Sequence, residues 1–450
     1  MTQMKMPAVG TAISGLIFFI IALAGVSPDQ AYAHEPAATR DCSAYAYAPP
    51  FPPAPAGYKP RYHTTEHNFL DLEQGVGPVT GSEYAILDAV IDEAQARLKP
   101  IPSGLNDVPY KQFAVDSLKT IDCVLVSHGF VYPGIGLVQL LSDGLDPTTF
   151  ADEKYYQALL LSPHNTGRTL FIEQRKPGPY YVVDCDIASY MYLAIAEIMK
   201  YPLAMVQIPL HNFVRWKLPG GGYIDFETMD GKQTDDNYYE VLWGIPPKFV
   251  GTPGVLTTMS DTELLSYEYF GVAISYTWKN DIPTAIAKYE KAISVDASLG
   301  DSANNLAWVY AVVPAIKFRD GQKAVAYAQK AVSISQNGDW LDTLACAYGA
   351  AGDFAEGVSA ENRAKKAGWA PSASNIQEDL DLLSGGHPCQ DPTFGIDPHP
   401  FRPSQPTPAR VHNKDANAIH YEMSGLELAS DAGDSVLYHS LGELASRAFH

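Results

Sequence analysis

The chain has 450 residues, which is enough for two or three domains with ordinary cores. Its formal net charge of −20 argues against nucleic-acid binding, because phosphates need Lys and Arg to neutralise them. The same acidity argues against attachment to anionic lipid through a basic patch and fits a cationic substrate or partner better.

The N-terminus, residues 1–33, has the pattern of a secretory signal peptide. Lys5 gives a weakly positive start, residues 12–26 form an apolar stretch, and Ala31-Tyr32-Ala33 is an A-x-A cleavage site. The apolar stretch is shorter than the ~20 residues of a membrane span. We expect export to the periplasm or the extracellular space, with no membrane attachment after cleavage. An uncleaved anchor is the alternative.

Residues 34–79 are rich in proline and predict an extended linker. Within them, His63-Thr64-Thr65-Glu66-His67 matches the zinc-protease pattern H-x-x-E-H. That pattern requires both histidines on one helical face, and two threonines beside a proline-rich linker disfavour a helix. No third ligand can be identified. We therefore expect an ordinary exposed segment and no metal or cofactor, with metal binding as the alternative.

The next part of the chain predicts a helical front half. Residues 82–98 have helical apolar spacing, with Ser82 as the candidate cap and prolines at 100 and 102 as the end. Residues 110–130 predict another helix. These segments cover a core and carry no recognisable chemistry.

Residues 186–201 form a largely apolar run with helical spacing, so they predict a buried helix. Cys185 stands at or next to its first residue. There, free backbone N–H groups and the helix dipole favour a thiolate and an oxyanion. Asp184 and Asp186 act in the opposite sense, because neighbouring negative charges raise the pKa of a thiol.

Antiparallel strands are predicted after this helix. Residues 203–210 indicate one strand and residues 211–216 a second. A Pro-Gly-Gly-Gly turn at 219–222 leads into a third strand over residues 223–229. The pattern predicts a helix packed on an antiparallel sheet.

These strands carry the candidate partners of the thiol. His211 begins the second strand, and Asp225 and Glu227 lie two apart on the third, so both face the same side and either can orient the imidazole. A thiol, a histidine and an acid make up a nucleophilic site. Arg215 and Trp216 are weaker candidates for lining a substrate groove, with a place in the core as the alternative for the tryptophan.

The segment resembles the transglutaminase-like superfamily of papain-related folds. The stretches that carry the resemblance are Asp184-Cys185-Asp186, His211-Asn212-Phe213-Val214-Arg215-Trp216 and Tyr223-Ile224-Asp225-Phe226-Glu227-Thr228. The resemblance implies an α+β transglutaminase-like domain over residues 80–255, with Cys185 as nucleophile, His211 as general base and Glu227 as the orienting acid. Glu227 stands where the family has Asp, and the spacing from Cys185 to His211 is shorter than in many members.

Residues 261–370 are alanine-rich and internally similar. Tyrosines recur at intervals of 34 and 38 residues, at Tyr276, Tyr310 and Tyr348, and alanines recur at Ala292, Ala331 and Ala364. This segment resembles three all-α tetratricopeptide-type repeats, which implies a groove that binds a protein or peptide partner. A helical cap that only stabilises the preceding domain is the alternative. Neither pattern indicates an oligomeric state.

The five cysteines are few and odd in number, so at least one is outside any intrachain disulfide. Cys123 and Cys346 lie in apolar runs and predict packed thiols. Cys42 and Cys389 flank proline-rich ends and are candidates for a pair. Residues 385–450 are rich in proline and histidine and predict a largely disordered tail.

Together, these features predict an exported thiol enzyme that acts on amide or peptide bonds by Cys-His-acid catalysis. Release by water makes it a peptidase or amidase, and release by an amine makes it an acyltransferase. The alternative is a catalytically silent transglutaminase-like/tetratricopeptide scaffold for protein–protein interaction.

Overall fold

The fold is mixed, with helices and a small antiparallel sheet. A computed structural model describes residues 42, 44–45, 51–52, 54–76, 79–104, 106–131, 181–183, 185–370, 376–391 and 394. The predicted signal peptide and the part of the predicted tail after residue 394 lie outside this range. Within it there are twelve α-helices. None of the described helices is long and apolar enough to cross a membrane.

Three helices precede the sheet: α1 (Thr65–Glu73), α2 (Gly81–Arg97) and α3 (Asp107–Ser127). The N-cap of helix α2 lies two residues before the predicted one. This N-cap is Thr80, whose hydroxyl accepts from the Ser82 N–H while the Glu83 carboxylate accepts from the Thr80 N–H at 2.6 Å. This reciprocal capping box satisfies the first N–H groups of the helix and corrects the prediction of Ser82.

Helix α1 corrects the prediction of an exposed segment at the H-x-x-E-H pattern. Thr64 serves as N-cap, a role in which its weak helix propensity does not matter, and Glu66 and His67 are buried. His67 binds Asp88 through Nε2 at 3.0 Å and Thr64 Oγ1 through Nδ1 at 2.8 Å. Both ring nitrogens are thus occupied, and His63 lies outside the helix and is exposed. The pattern therefore has a structural role.

The strands are β1 (Phe130–Val131), β2 (Tyr181–Val182), β3 (Leu203–Ile208), β4 (His211–Lys217), β5 (Tyr223–Glu227), β6 (Lys232–Thr234) and β7 (Thr257–Thr258). Strands β1 and β2 form a short parallel pair. The other five form an antiparallel sheet in the order β6-β5-β4-β3-β7. Strands β3 and β4 are joined by a tight turn that sets Ile208 opposite His211.

The two faces of the sheet have different coverings. Helix α4 (Cys185–Met199) packs on the face that contains Val214 and Trp216, together with the front helices. Phe213 lies on the other face, where it stacks on Tyr239 of helix α5 (Asp236–Leu242) with ring centroids 3.8 Å apart. Alternation along β4 therefore sends odd and even positions into different cores.

Seven helices follow the sheet: α6 (Asp261–Trp278), α7 (Ile282–Val295), α8 (Asp301–Val312), α9 (Gly321–Ile334), α10 (Gly338–Ala351), α11 (Phe354–Ala367) and α12 (Ile376–Ser384), with a short 3₁₀ turn at Ile316–Phe318. Helices α6 to α11 make three successive pairs, and each helix packs on the next. Fully buried alanines, among them Ala285, Ala307 and Ala345, let these helices approach closely. The arrangement makes helical repeats plausible.

The cysteines pair differently from the prediction. Cys42 is bonded to Cys123, and Cys346 to Cys389, so Cys42 and Cys389 are not a pair. Cys123 and Cys346 are buried as predicted, but as half-cystines rather than as packed thiols. Burial alone does not distinguish these two states, because disulfides and apolar thiols are both found in cores.

Part of the repeat surface is covered by the chain itself. Residues 302–312 of α8 are all buried. The indole of Trp308 donates to Asp391 at 3.1 Å, and Phe394 belongs to the same core. Together with the Cys346–Cys389 bond, these contacts hold the segment after α12 against α8 and α10.

Candidate functional site

Cys185 is the first residue of α4 and is half-buried. Because the other four cysteines form disulfides, it is the cysteine that keeps its thiol. Its Sγ donates a weak hydrogen bond to Asp186 Oδ1 at 3.8 Å. The helix N-terminus favours the thiolate, and this adjacent carboxylate opposes it.

His211 and Glu227 form a buried pair at one end of the sheet. Their Nε2 and Oε2 atoms are 2.7 Å apart, and the two residues are 7% and 3% exposed. Glu227 also accepts hydrogen bonds from the Met229 N–H at 3.0 Å and the Tyr239 hydroxyl at 3.2 Å. The carboxylate is held by three donors, so its orientation is fixed when it meets the imidazole.

The His211–Glu227 contact also assigns the ring tautomer. A carboxylate accepts, so Nε2 carries the proton and donates it to Glu227. Nδ1 is then the ring nitrogen for proton exchange with another group. The Trp243 indole stacks on the ring at a centroid distance of 4.8 Å and limits its rotation.

Asp225 has a different partner from Glu227. Arg215 forks onto it with Nε and Nη2 at 2.6 and 3.0 Å and also pairs with Asp236. Burial raises the pKa of Asp225 to about 6, although the guanidinium opposes the rise. Of the two candidate acids, Glu227 is the one that contacts the imidazole, and Asp225 holds Arg215.

The two candidate groove residues are placed in the interior. Trp216 is fully buried, and its indole donates to the Tyr110 hydroxyl at 3.4 Å. Arg215 is 7% exposed and saturated by carboxylates. The alternation that puts Trp216 under α4 removes it from any surface groove, which corrects that prediction.

The residues around the Cys185 thiol contact the face of β4 opposite to His211. His211 and Asn212 are neighbours in a strand, so their side chains point to opposite faces. Asn212 Nδ2 donates to Asp186 Oδ1 and, at 3.0 Å, to the Tyr267 hydroxyl. Tyr267 in turn donates to Asp186 Oδ1 at 3.4 Å. The start of α4 therefore meets the sheet at the His211 end of β4, by way of Asn212.

A scan against protein-family models and a search of curated proteins find no match to this chain. The geometry alone thus bears on the site. Three contributors were missed in the sequence: Tyr239, which holds Glu227, Trp243, which stacks on His211, and Tyr267, which holds Asp186. Tyr267 is 81 residues from Asp186, so a local sequence pattern does not predict their contact.

Among the described residues, two groups have the ligand spacing of a metal site. They are Cys42, Asp122 and Cys123, and Cys346, Asp379 and Cys389. In each, both cysteines are oxidised to a disulfide, so neither offers the thiolate that a metal requires. We assign no metal to either.

Proposed function

We propose that this chain is an exported thiol enzyme of the transglutaminase-like type that acts on amide or peptide bonds. The observation that carries the proposal is the buried His211–Glu227 pair at the end of the sheet where the Cys185 helix begins. A helical half with a nucleophile helix packed on antiparallel strands supports the fold part of the proposal.

In the proposed reaction, His211 Nδ1 takes the proton of the Cys185 thiol and the thiolate attacks the amide carbonyl carbon. The imidazolium then gives that proton to the departing amine as the C–N bond breaks, which leaves a thioester. Water or a second amine attacks the thioester, and His211 takes the incoming proton and returns it to the thiolate. Glu227 stabilises the imidazolium throughout. Because His211 and α4 lie on opposite faces, this requires Nδ1 to reach the thiol around the end of β4.

Export is part of the same proposal. Disulfides persist in oxidising compartments and are rare in the cytosol. The Cys42–Cys123 and Cys346–Cys389 bonds therefore support export to the periplasm or the extracellular space.

Recruitment of a protein or peptide by tetratricopeptide-type repeats is also a proposal. The three helix pairs from α6 to α11 support it. The surface of α8 is not open to a partner, because residues 387–391 lie close to its buried face. A partner that binds there has to displace that segment.

The test uses the single thiol. Without reductant, iodoacetamide labels only Cys185, and we measure the labelling rate by mass spectrometry between pH 5 and 10. A thiolate paired with an imidazolium reacts at pH 6 about ten-fold faster than a thiol of ordinary pKa near 8.5. His211→Gln should remove this advantage.

The matched control is His128→Gln. His128 also binds a carboxylate, Glu93, with Nε2 and Oε2 2.6 Å apart, but Glu93 lies on helix α2 and His128 is the C-cap of helix α3. Its substitution should leave the labelling profile of Cys185 unchanged. If the wild-type chain labels slowly at pH 6 and His211→Gln changes nothing, the enzyme proposal fails.

The second candidate function is a catalytically silent scaffold. It is favoured by the Asp186 carboxylate beside the thiol, since a negative charge there disfavours the thiolate that catalysis needs. An alkaline labelling midpoint that does not depend on His211 supports the scaffold.

A further inference from the structure

Helix α6 belongs to two parts of the molecule at once. Leu264 packs in the core of the sheet and the front helices, whereas Phe270 and Ile274 pack in the core of the later helices. Tyr267 lies between these positions and packs against both cores. It is therefore placed where the helical repeats meet the nucleophile helix.

The hydroxyl of Tyr267 closes a small hydrogen-bonded network. It accepts from Asn212 Nδ2 at 3.0 Å and donates to Asp186 Oδ1 at 3.4 Å. Asn212 also donates to that same Asp186 oxygen. The third donor to this oxygen is the Cys185 thiol, whose Sγ lies 3.8 Å from Asp186 Oδ1. One carboxylate oxygen thus receives donors from β4, from α6 and from the thiol.

We propose that Asn212 and Tyr267 are positioning residues for the Cys185 thiol, and that they act through the charge of Asp186. Their two donors orient the carboxylate and offset its negative charge where it faces the sulfur. The first helix of the repeat segment thereby supplies a side chain to the thiol site. This proposal rests on the proposed function only in taking Cys185 as the catalytic nucleophile.

The physical argument is electrostatic. An ionised carboxylate within 4 Å of a thiol disfavours the second negative charge, and donors that hydrogen-bond the carboxylate reduce that effect. Burial raises the pKa of Asp186, and the hydrogen bonds from Asn212 and Tyr267 oppose this rise without cancelling it. The network therefore favours an ionised but compensated Asp186.

Other titratable groups in the described part of the chain surround this network. The titratable groups that face this network are His211 on β4, Tyr190 on α4 and Asp301 on α8, with Glu66 of α1 and Glu268 of α6 beyond Tyr190. Only the imidazole among them is cationic when protonated. Among the residues that the structure describes, Asp186 is the carboxylate that contacts both the sulfur and a side chain of α6.

The experiment is the pH profile of iodoacetamide labelling of Cys185 in the full chain without reductant. Asp186→Asn keeps the shape and removes the charge, so the labelling midpoint should fall by about one pH unit. Tyr267→Phe removes one compensating donor and should raise the midpoint by about half a unit. In the double variant, Tyr267→Phe should add no further shift, because the charge through which it acts is gone.

The matched control is Tyr269→Phe. Tyr269 is half-buried on the same helix and lies beside Lys288 and Lys291. It should leave the midpoint in place. A purely structural role for Tyr267 predicts slower labelling or lower stability with an unmoved midpoint.

The proposal is overturned if Asp186→Asn leaves the midpoint unchanged, or if the shift caused by Tyr267→Phe survives in the double variant. Asp186→Asn alone decides the matter should Tyr267→Phe not fold. The result for His211→Gln in the same assay is separate. If His211→Gln labels like the wild-type chain, the enzyme proposal is refuted. If Asp186→Asn and Tyr267→Phe do not shift the midpoint, only this network is refuted.

Discussion

A buried pair of carboxyl groups makes the last helix pair sensitive to pH. Glu361 of α11 is 0% exposed, and neither of its oxygens has a hydrogen-bond donor in the described part of the chain. It faces Asp342 of α10, which is also buried, and the charge of Asp379 acts on both. Two ionised carboxylates offer each other no donor, so a shared proton is needed to connect them.

The magnitude follows from the pKa. Burial and the negative charge of Asp379 raise the pKa of Glu361 from 4.5 to about 8, although the neighbouring Asp342 carboxyl opposes the rise. At about 1.4 kcal/mol per pKa unit, this shift corresponds to about 5 kcal/mol, shared with Asp342. The folded pKa is the higher one, so this contribution is fully present below pH 4.5 and is lost as the pH rises through 8.

Glu361→Gln should remove much of that pH dependence, because the amide donates to Asp342 without a proton from solvent. We would measure urea unfolding of both chains at pH 5, 7 and 9, together with hydrogen exchange in α10 and α11. Glu356→Gln is the control, since Glu356 is an exposed residue of the same helix. If the wild-type chain and Glu361→Gln lose stability equally between pH 5 and 9, the reasoning is refuted.

Three further substitutions test a close glycine contact, a buried carboxylate and a disulfide. Gly300→Ala places a methyl group against the ring of Trp340 and should cost about 1–3 kcal/mol, whereas Gly271→Ala has open space and should be neutral or stabilising; urea unfolding compares the two. The buried Asp88 carboxylate accepts four hydrogen bonds, and Asp88→Asn leaves some of these donors without an acceptor. The substitution should lower the free energy of unfolding by about 1–3 kcal/mol, seen as a lower melting temperature by circular dichroism. Cys389→Ser opens a disulfide with a sequence separation of 43 and should cost about 2–4 kcal/mol; an equal melting temperature with and without the bond contradicts this.

Local patterns predicted the elements that carry the candidate site. The apolar spacing after Cys185 placed that residue at the start of α4, and alternation placed Asp225 and Glu227 on one face of β5. Alternation did not show which acid meets His211. That choice depends on register, since β4 sets Arg215 opposite Asp225 and so occupies it.

Long-range contacts were beyond the sequence. Cys42 and Cys123 are 81 residues apart, and nothing in their neighbourhoods distinguishes this pairing from others. Propensity also misled at Thr64, because a threonine that disfavours a helix interior is a favourable N-cap. The partner of Cys42 is too distant in sequence for a local pattern to show it. The role of Thr64 was missed because helix propensity describes the interior of a helix and not its cap.

The burial of the two disulfides has a consequence for the chemistry of the remaining thiol. Exchange begins when a thiolate reaches a disulfide sulfur along the S–S axis, so access limits its rate. All four half-cystines are at most 5% exposed. A reactive Cys185 on one molecule therefore has no accessible S–S bond to attack on another, and concentrated protein should neither scramble its bridges nor form mixed oligomers through them.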